Sequence, residues 1–203
     1  MKKVKRTFKR KDYISGDGMV TTIWGPGMWH FLHTISFNYP INPTDEDKTH
    51  YKSFIENLKY ILPCKYCRQN LSRNLILMPL TSKVMESRDS FSRYIYKLHE
   101  TVNKLLNKKS GLSYFDVRER YEHFRSRCTQ DSKEPIVTMP DLKKTRKNKK
   151  EKEKEPEKGC TEPLYGQKAK AVIQIVPKTK VCDTLQIDER CLKEYKSSNP
   201  DKQ

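Results

Sequence analysis

Apolar side chains recur along residues 24–125 at the three-and-four spacing of helices that bury one face. Met28, Trp29, Leu32, Ile35 and Tyr39 form one stripe over 24–39, closed by Pro40. Thr44, followed by Asp45, Glu46 and Asp47, reads as an N-cap with acids in the first turn, where they favour the positive end of the helix dipole. Tyr51, Phe54, Ile55, Leu58, Ile61 and Leu62 extend that helix to Pro63. Further helices are predicted over 64–77, over 89–107 (Phe91, Ile95, Leu98, Val102, Leu105) and over 114–125 (Phe115, Arg118, Tyr121, Phe124). No alternating strand pattern precedes residue 170, although AVIQIV at 171–176 is β-like. The pattern predicts an all-α bundle of four to five helices.

Composition changes the picture at the ends of the chain. Of 203 residues only 34% are apolar, and the formal net charge is +17. A globular chain is usually about 45–50% apolar, so a compact domain of roughly 100–130 residues with polar extensions fits better than one large core. Four segments follow: a basic N-terminal arm (1–19), a helical domain (20–128), a charged linker (129–158) and a small cysteine-containing extension (159–203). The linker, with its run KKTRKNKKEKEKEPEK, is expected to be disordered, because it has too little apolar surface to offset its ordering entropy. The excess charge lies mainly in the arms, so nucleic-acid binding is a secondary reading. No apolar run is long enough to span a membrane, and MKKVKRTFKRK lacks the hydrophobic segment of a secretory signal.

The sharpest chemistry is Pro63-Cys64-Lys65-Tyr66-Cys67. Two cysteines three apart at a helix start can close a small disulfide, and the exposed N–H groups stabilise the first thiolate. Lys65 adds a cation. An exchange-active dithiol fits this arrangement, and half of a zinc site is the alternative. Zinc would need a second ligand pair, and the next cysteine, Cys128, stands alone. No metal is expected.

The flanks of this pair carry a resemblance. Trp24-Gly25-Pro26-Gly27-Met28-Trp29-His30-Phe31-Leu32-His33-Thr34, then Tyr39-Pro40, precede it by about thirty residues; Leu98-His99-Glu100-Thr101-Val102-Asn103-Lys104 follow at a similar distance. In order and spacing these segments resemble the Erv/ALR family of FAD-linked sulfhydryl oxidases, and the compact viral members most of all. The resemblance implies a helical FAD-binding domain, usually a homodimer, that forms disulfides in protein thiol substrates and reduces oxygen to hydrogen peroxide. It implies that Cys64 faces substrate and that Cys67 lies next to the flavin. Trp29 and His33 would line the pocket, His99 and Asn103 would hold the adenine and ribose side, Tyr39 and Lys108 would lie near the cofactor, and Tyr121 would stack on the adenine. A flexible arm bearing Cys182 and Cys191 would shuttle electrons from substrate, and Cys128 would be placed for an interchain bond. Three departures stand out. Glu100 replaces the usual Asn, Pro26 stands where cellular members often have Arg, and a structural disulfide common in the family falls near Tyr96 and Ser113, so it is missing. The viral likeness points to host cytoplasm or virion rather than the mitochondrial intermembrane space. The competing reading is a basic nucleic-acid-binding or virion assembly protein whose CxxC is not catalytic.

Overall fold

The computed structural model describes residues 9–16, 18–127, 160, 162–182 and 185–192. They belong to two compact units, Met1–Arg118 and Glu119–Gln203. The element order is α1 (Arg10–Tyr13), α2 (Thr21–Asn38), α3 (Asp45–Ile61), α4 (Lys65–Leu77), α5 (Arg88–Leu105), α6 (Tyr114–Glu122), β1 (Ser126–Arg127), β2 (Glu162–Pro163) and a 3-10 turn at Glu189–Cys191. The domain is all-α as expected; its helix α2 starts three residues before Trp24, and α6 stops at Glu122 rather than near residue 125. Cys128 and residues 129–159 lie outside the described residues.

Local signals set the helix ends. Thr44 Oγ1 accepts the Asp47 N–H at 3.1 Å while Asp47 Oδ2 accepts the Thr44 N–H at 2.9 Å, a reciprocal capping box that opens α3. Ser87 and Ser90 do the same for α5. At the other end of α5, Asn107 takes the left-handed conformation, φ 52°. The Lys108 N–H then bonds back to the Asn103 carbonyl at 2.8 Å, and the Asn107 N–H to that of Lys104 at 3.1 Å. This Schellman closure satisfies the final carbonyls and folds Lys108 back over the helix end.

In the first unit α2 packs on α5 and α3 on α4. Their shared core includes Leu32, Ile55, Leu58, Leu71, Phe91, Ile95 and Leu98, each contributing about 1.5–3 kcal/mol when fully buried. The 78–87 connection is drawn in by Leu80 and Met85 and by two tyrosine hydroxyls. Tyr39 donates to the Met85 carbonyl at 2.9 Å and Tyr94 to that of Met78 at 2.7 Å. Where the resemblance had placed a structural disulfide, the Tyr96 hydroxyl donates to the Leu112 carbonyl at 2.8 Å, and the Tyr96 and Tyr114 rings meet edge to face. Tyr114 in turn shares a 2.8 Å hydrogen bond with Ser92. Hydrogen bonds and ring contacts thus take the place of a covalent link.

In the second unit β1 and β2 pair antiparallel. Gly166, at φ 65°, lets its backbone approach Cys191; an added Cβ would lie 2.6 Å from the Cys191 carbonyl carbon. The β-like segment 171–176 forms no strand, and Val172, Ile173 and Ile175 are exposed. Strand propensity expresses itself only against a neighbouring strand. Among the described residues, no helix is long and apolar enough to cross a membrane.

Candidate active site

Pro63 ends the approach to α4, and Cys64 caps it in an extended conformation, φ −157° and ψ 120°. From there its Sγ accepts the Cys67 N–H at 3.2 Å, so the sulfur sits at the positive end of the helix. Both cysteines are thiols and both are half-buried. Burial pushes the Cys64 thiol up, but hydrogen bonds from the Cys67 side chain and from the Cys67 and Tyr66 amides, helped by Arg68, outweigh it and hold the pKa below the ordinary value. Burial, the hydrogen bond to Cys64 and the Cys64 charge push Cys67 up to about 12. Of the pair, Cys64 is therefore the more acidic thiol and the better leaving group. The cation that acts on it is Arg68, anchored by a hydrogen bond from its guanidinium to the Leu62 carbonyl, rather than Lys65.

The N-terminal segment passes beside this turn. Gly18 forms an isolated antiparallel bridge with Cys64, and the Met19 N–H donates to the Pro63 carbonyl at 2.8 Å. At φ 98°, Gly18 approaches so closely that a Cβ would stand 2.7 Å from the Pro63 oxygen. Only glycine fits there without displacing one strand from the other.

A second cluster joins α2 to α5. Trp29 and His99 stack with centroids 4.0 Å apart and planes 6° from parallel. His33, one turn after Trp29, is 4% exposed, and its Nε2 meets His99 Nδ1 at 3.0 Å. One nitrogen of that contact must carry the hydrogen and the other accept it. Burial, then the neighbouring His99 and His30, lower the His33 pKa to about 3. Burial lowers His99 to about 4, with Glu100 opposing and Lys108 assisting. Both imidazoles are neutral at pH 7. Asn103, one turn beyond His99, donates to Glu100 Oε1 at 3.0 Å, and the Schellman closure sets the Lys108 backbone against the Asn103 carbonyl.

The structure thus brings together Trp29, His33, His99, Asn103 and Lys108. It places Tyr39 elsewhere. That side chain, expected near the cofactor, is 0% exposed, its hydroxyl bonded to Met85 and its ring packed on Tyr51 and Phe91, so it forms part of the core. Tyr121 belongs to the second unit, where it meets Phe124 edge-on; burial raises its pKa to about 12. Cys182 and Cys191 also belong there, as thiols, whereas Cys160 is in a disulfide. No group of metal-ligating side chains exists among the described residues.

Glu100, already noted as a departure from the family pattern, holds the Asn103 amide. Two further residues escaped the sequence reading. Gly18 bridges the dithiol turn. Asn74, 4% exposed with its Nδ2 unpartnered, stands two helical turns after Cys67 on the same face of α4; its signal was a polar residue in line with Cys67 and Leu71. The donor set suits FAD. Stacked flat rings, uncharged imidazoles, amides and one lysine match a planar, polar-edged heterocycle with an attached diphosphate.

A helical unit that carries a capped dithiol at one helix start and an aromatic–imidazole cluster between two other helices has the parts of a flavin-type thiol-exchange protein. Comparison with known proteins makes the class specific: the pattern of the Erv1/Alr family matches residues 26–134, and the chain belongs to that family. It is 39% identical over 99 residues to the probable FAD-linked sulfhydryl oxidase of Acanthamoeba polyphaga mimivirus, covering 49% of this chain and 68% of that protein. It is 31% identical over 99 residues to the FAD-linked sulfhydryl oxidase of African swine fever virus, covering 49% and 80%. With the mitochondrial FAD-linked sulfhydryl oxidase of Saccharomyces cerevisiae it shares 31% identity over 95 residues, 46% of this chain and 49% of the yeast protein. The crystal structure of the yeast Erv1 core overlays with a TM-score of 0.46 at 25% identity, covering 58% of this chain and 92% of that one.

Proposed function

We propose that the chain is an FAD-dependent thiol oxidase that forms disulfides in protein substrates through Cys64 and Cys67. The observation that carries this reading is one compact unit holding both a dithiol with a stabilised first thiolate and the Trp29–His33–His99 cluster. A substrate thiolate attacks Cys64 Sγ of the oxidised pair, breaking the Cys64–Cys67 bond and leaving the electron pair on Cys67 as a thiolate. The second substrate thiolate then attacks the substrate sulfur of the mixed disulfide. The substrate leaves oxidised, and Cys64 leaves as a thiolate, helped by its low pKa. The pair now holds two electrons. FAD, when bound, supplies a two-electron acceptor that passes electrons to oxygen as hydrogen peroxide. Trp29 and His99 offer the stacking surface, the neutral His33 orients His99, Asn103 and Lys108 bind the polar parts, and the cluster excludes water from the ring system.

In this reading residues 20–128 carry catalysis as a homodimer, Tyr121 stacks on the adenine, and Cys182 and Cys191 relay electrons from large substrates. The viral relatives support a location in an infected host cell or its virions. The test is direct. Purified protein should be yellow and consume oxygen with dithiothreitol, and Cys67→Ser should stop turnover while retaining FAD. Full activity in that variant would overturn the relay.

A further inference from the structure

Around the dithiol the charge is one-sided. From Asn57 to Met85 the sequence has no Asp or Glu but includes Lys59, Lys65, Arg68, Arg73 and Lys83. The segment bridged to it by Gly18 and Met19 is basic as well: Lys9, Arg10 and Lys11 are exposed, against Asp12 and Asp17 as the acids before Asp45. Lys11 and Gly18 are seven positions apart, a reach of at most about 25 Å, which an extended peptide of seven or eight residues also covers. Beside the cations lie exposed apolar groups. Tyr66, between the two cysteines, is 75% exposed, and Met19 and Val20 are 69% and 66% exposed. None of this is needed to exchange electrons with a small dithiol.

We propose that the bridged N-terminal segment and the acid-free start of α4 together form a docking surface for acidic, cysteine-bearing polypeptide segments. The inference rests on the oxidase reading and names the chemistry of its substrates. Acids flanking a substrate cysteine meet Lys65, Arg68 and the cations of α1, while apolar neighbours of that cysteine pack on Tyr66 and Met19. The Gly18 bridge holds the basic segment at the mouth, so charge is presented where Cys64 exchanges. Steering of this kind raises encounter rates by about tenfold or more at low ionic strength and fades once salt shortens the Debye length below the charge spacing.

The experiment compares oxygen consumption by the FAD-loaded full-length protein on three dithiol peptides of one length, with acidic, neutral and basic flanks, and on dithiothreitol. At about 20 mM salt the acidic peptide should exceed the basic one in kcat/KM by about tenfold, and by about twofold or less at 0.5 M. R10E/K11E should bring the low-salt ratio close to one. Gly18→Val, which keeps every charge but cannot make the bridge, should lower it too; far-UV circular dichroism checks that its helices persist. Equal rates for the three peptides, or a ratio indifferent to salt and to R10E/K11E, would overturn the docking surface while dithiothreitol oxidation still stood. A protein that fails on dithiothreitol removes the oxidase reading itself, and the docking surface with it. A single-stranded oligonucleotide that binds in an Arg10- and Lys11-dependent way, with peptide rates equal, would assign the surface to nucleic acid instead.

Discussion

Acid should weaken this protein through the His33–His99 pair. Both imidazoles sit neutral in the fold, at pKa values of about 3 and about 4, and both would titrate near 6.5 in the unfolded chain. Between those limits the unfolded state binds more protons, so stability is complete above about pH 6.5 and falls as pH drops through the window. Each group can lose about 1.4 kcal/mol per pH unit, so two groups over two units, from pH 6.5 to 4.5, give a ceiling of about 5 kcal/mol. His33 is buried, but His99 is partly open to water and can relax; discounting for that leaves roughly 2–3 kcal/mol. A second proton also opposes N–H to N–H across the 3.0 Å contact. Urea unfolding at pH 7, 6, 5 and 4.5, in the wild type and in the double variant His33→Gln/His99→Gln, isolates the effect of the pair, because carboxylate titrations cancel in the difference. The wild type should lose about 2–3 kcal/mol more than the variant over this range. Parallel curves for the two proteins would refute the assignment of neutral, buried imidazoles.

Two further outcomes are expected. In the reduced protein, iodoacetamide should label Cys64 before Cys67 at pH 7, because one thiol is held below its ordinary pKa and the other is pushed up to about 12; peptide mapping with Cys67 labelled first would contradict this. Tyr96→Phe should cost about 1 kcal/mol in urea unfolding by leaving the Leu112 carbonyl without its side-chain donor, and an unchanged midpoint would show that the hydrogen bond contributes nothing net.

What the sequence made legible was local. Thr44 and its acids, the Phe91–Ile95–Leu98 stripe and the Cys64–Cys67 spacing each depend on residues within a few positions of one another, and the structure realises all three. The pairing of Trp29 with His99 was reachable only through family resemblance, since seventy residues separate them. The place of Tyr39 in the core was not legible, because nothing near it in sequence reveals that its hydroxyl meets Met85, 46 residues on. The Gly18 bridge and the Tyr96–Leu112 link were invisible for the same reason. The segment 171–176 misled in the opposite way, since its composition favours a strand that only a tertiary partner could complete.

The Tyr96–Leu112 hydrogen bond has a consequence for how such a catalyst begins its life. The unit that holds the proposed chemistry contains two cysteines, Cys64 and Cys67, and closes its architecture without cross-linking any of them. A maker of disulfides that required one to mature would depend on a catalyst like itself. Here the nascent unit can reach its shape with both of its sulfurs reduced, so the part that carries the proposed chemistry has no oxidative prerequisite of its own.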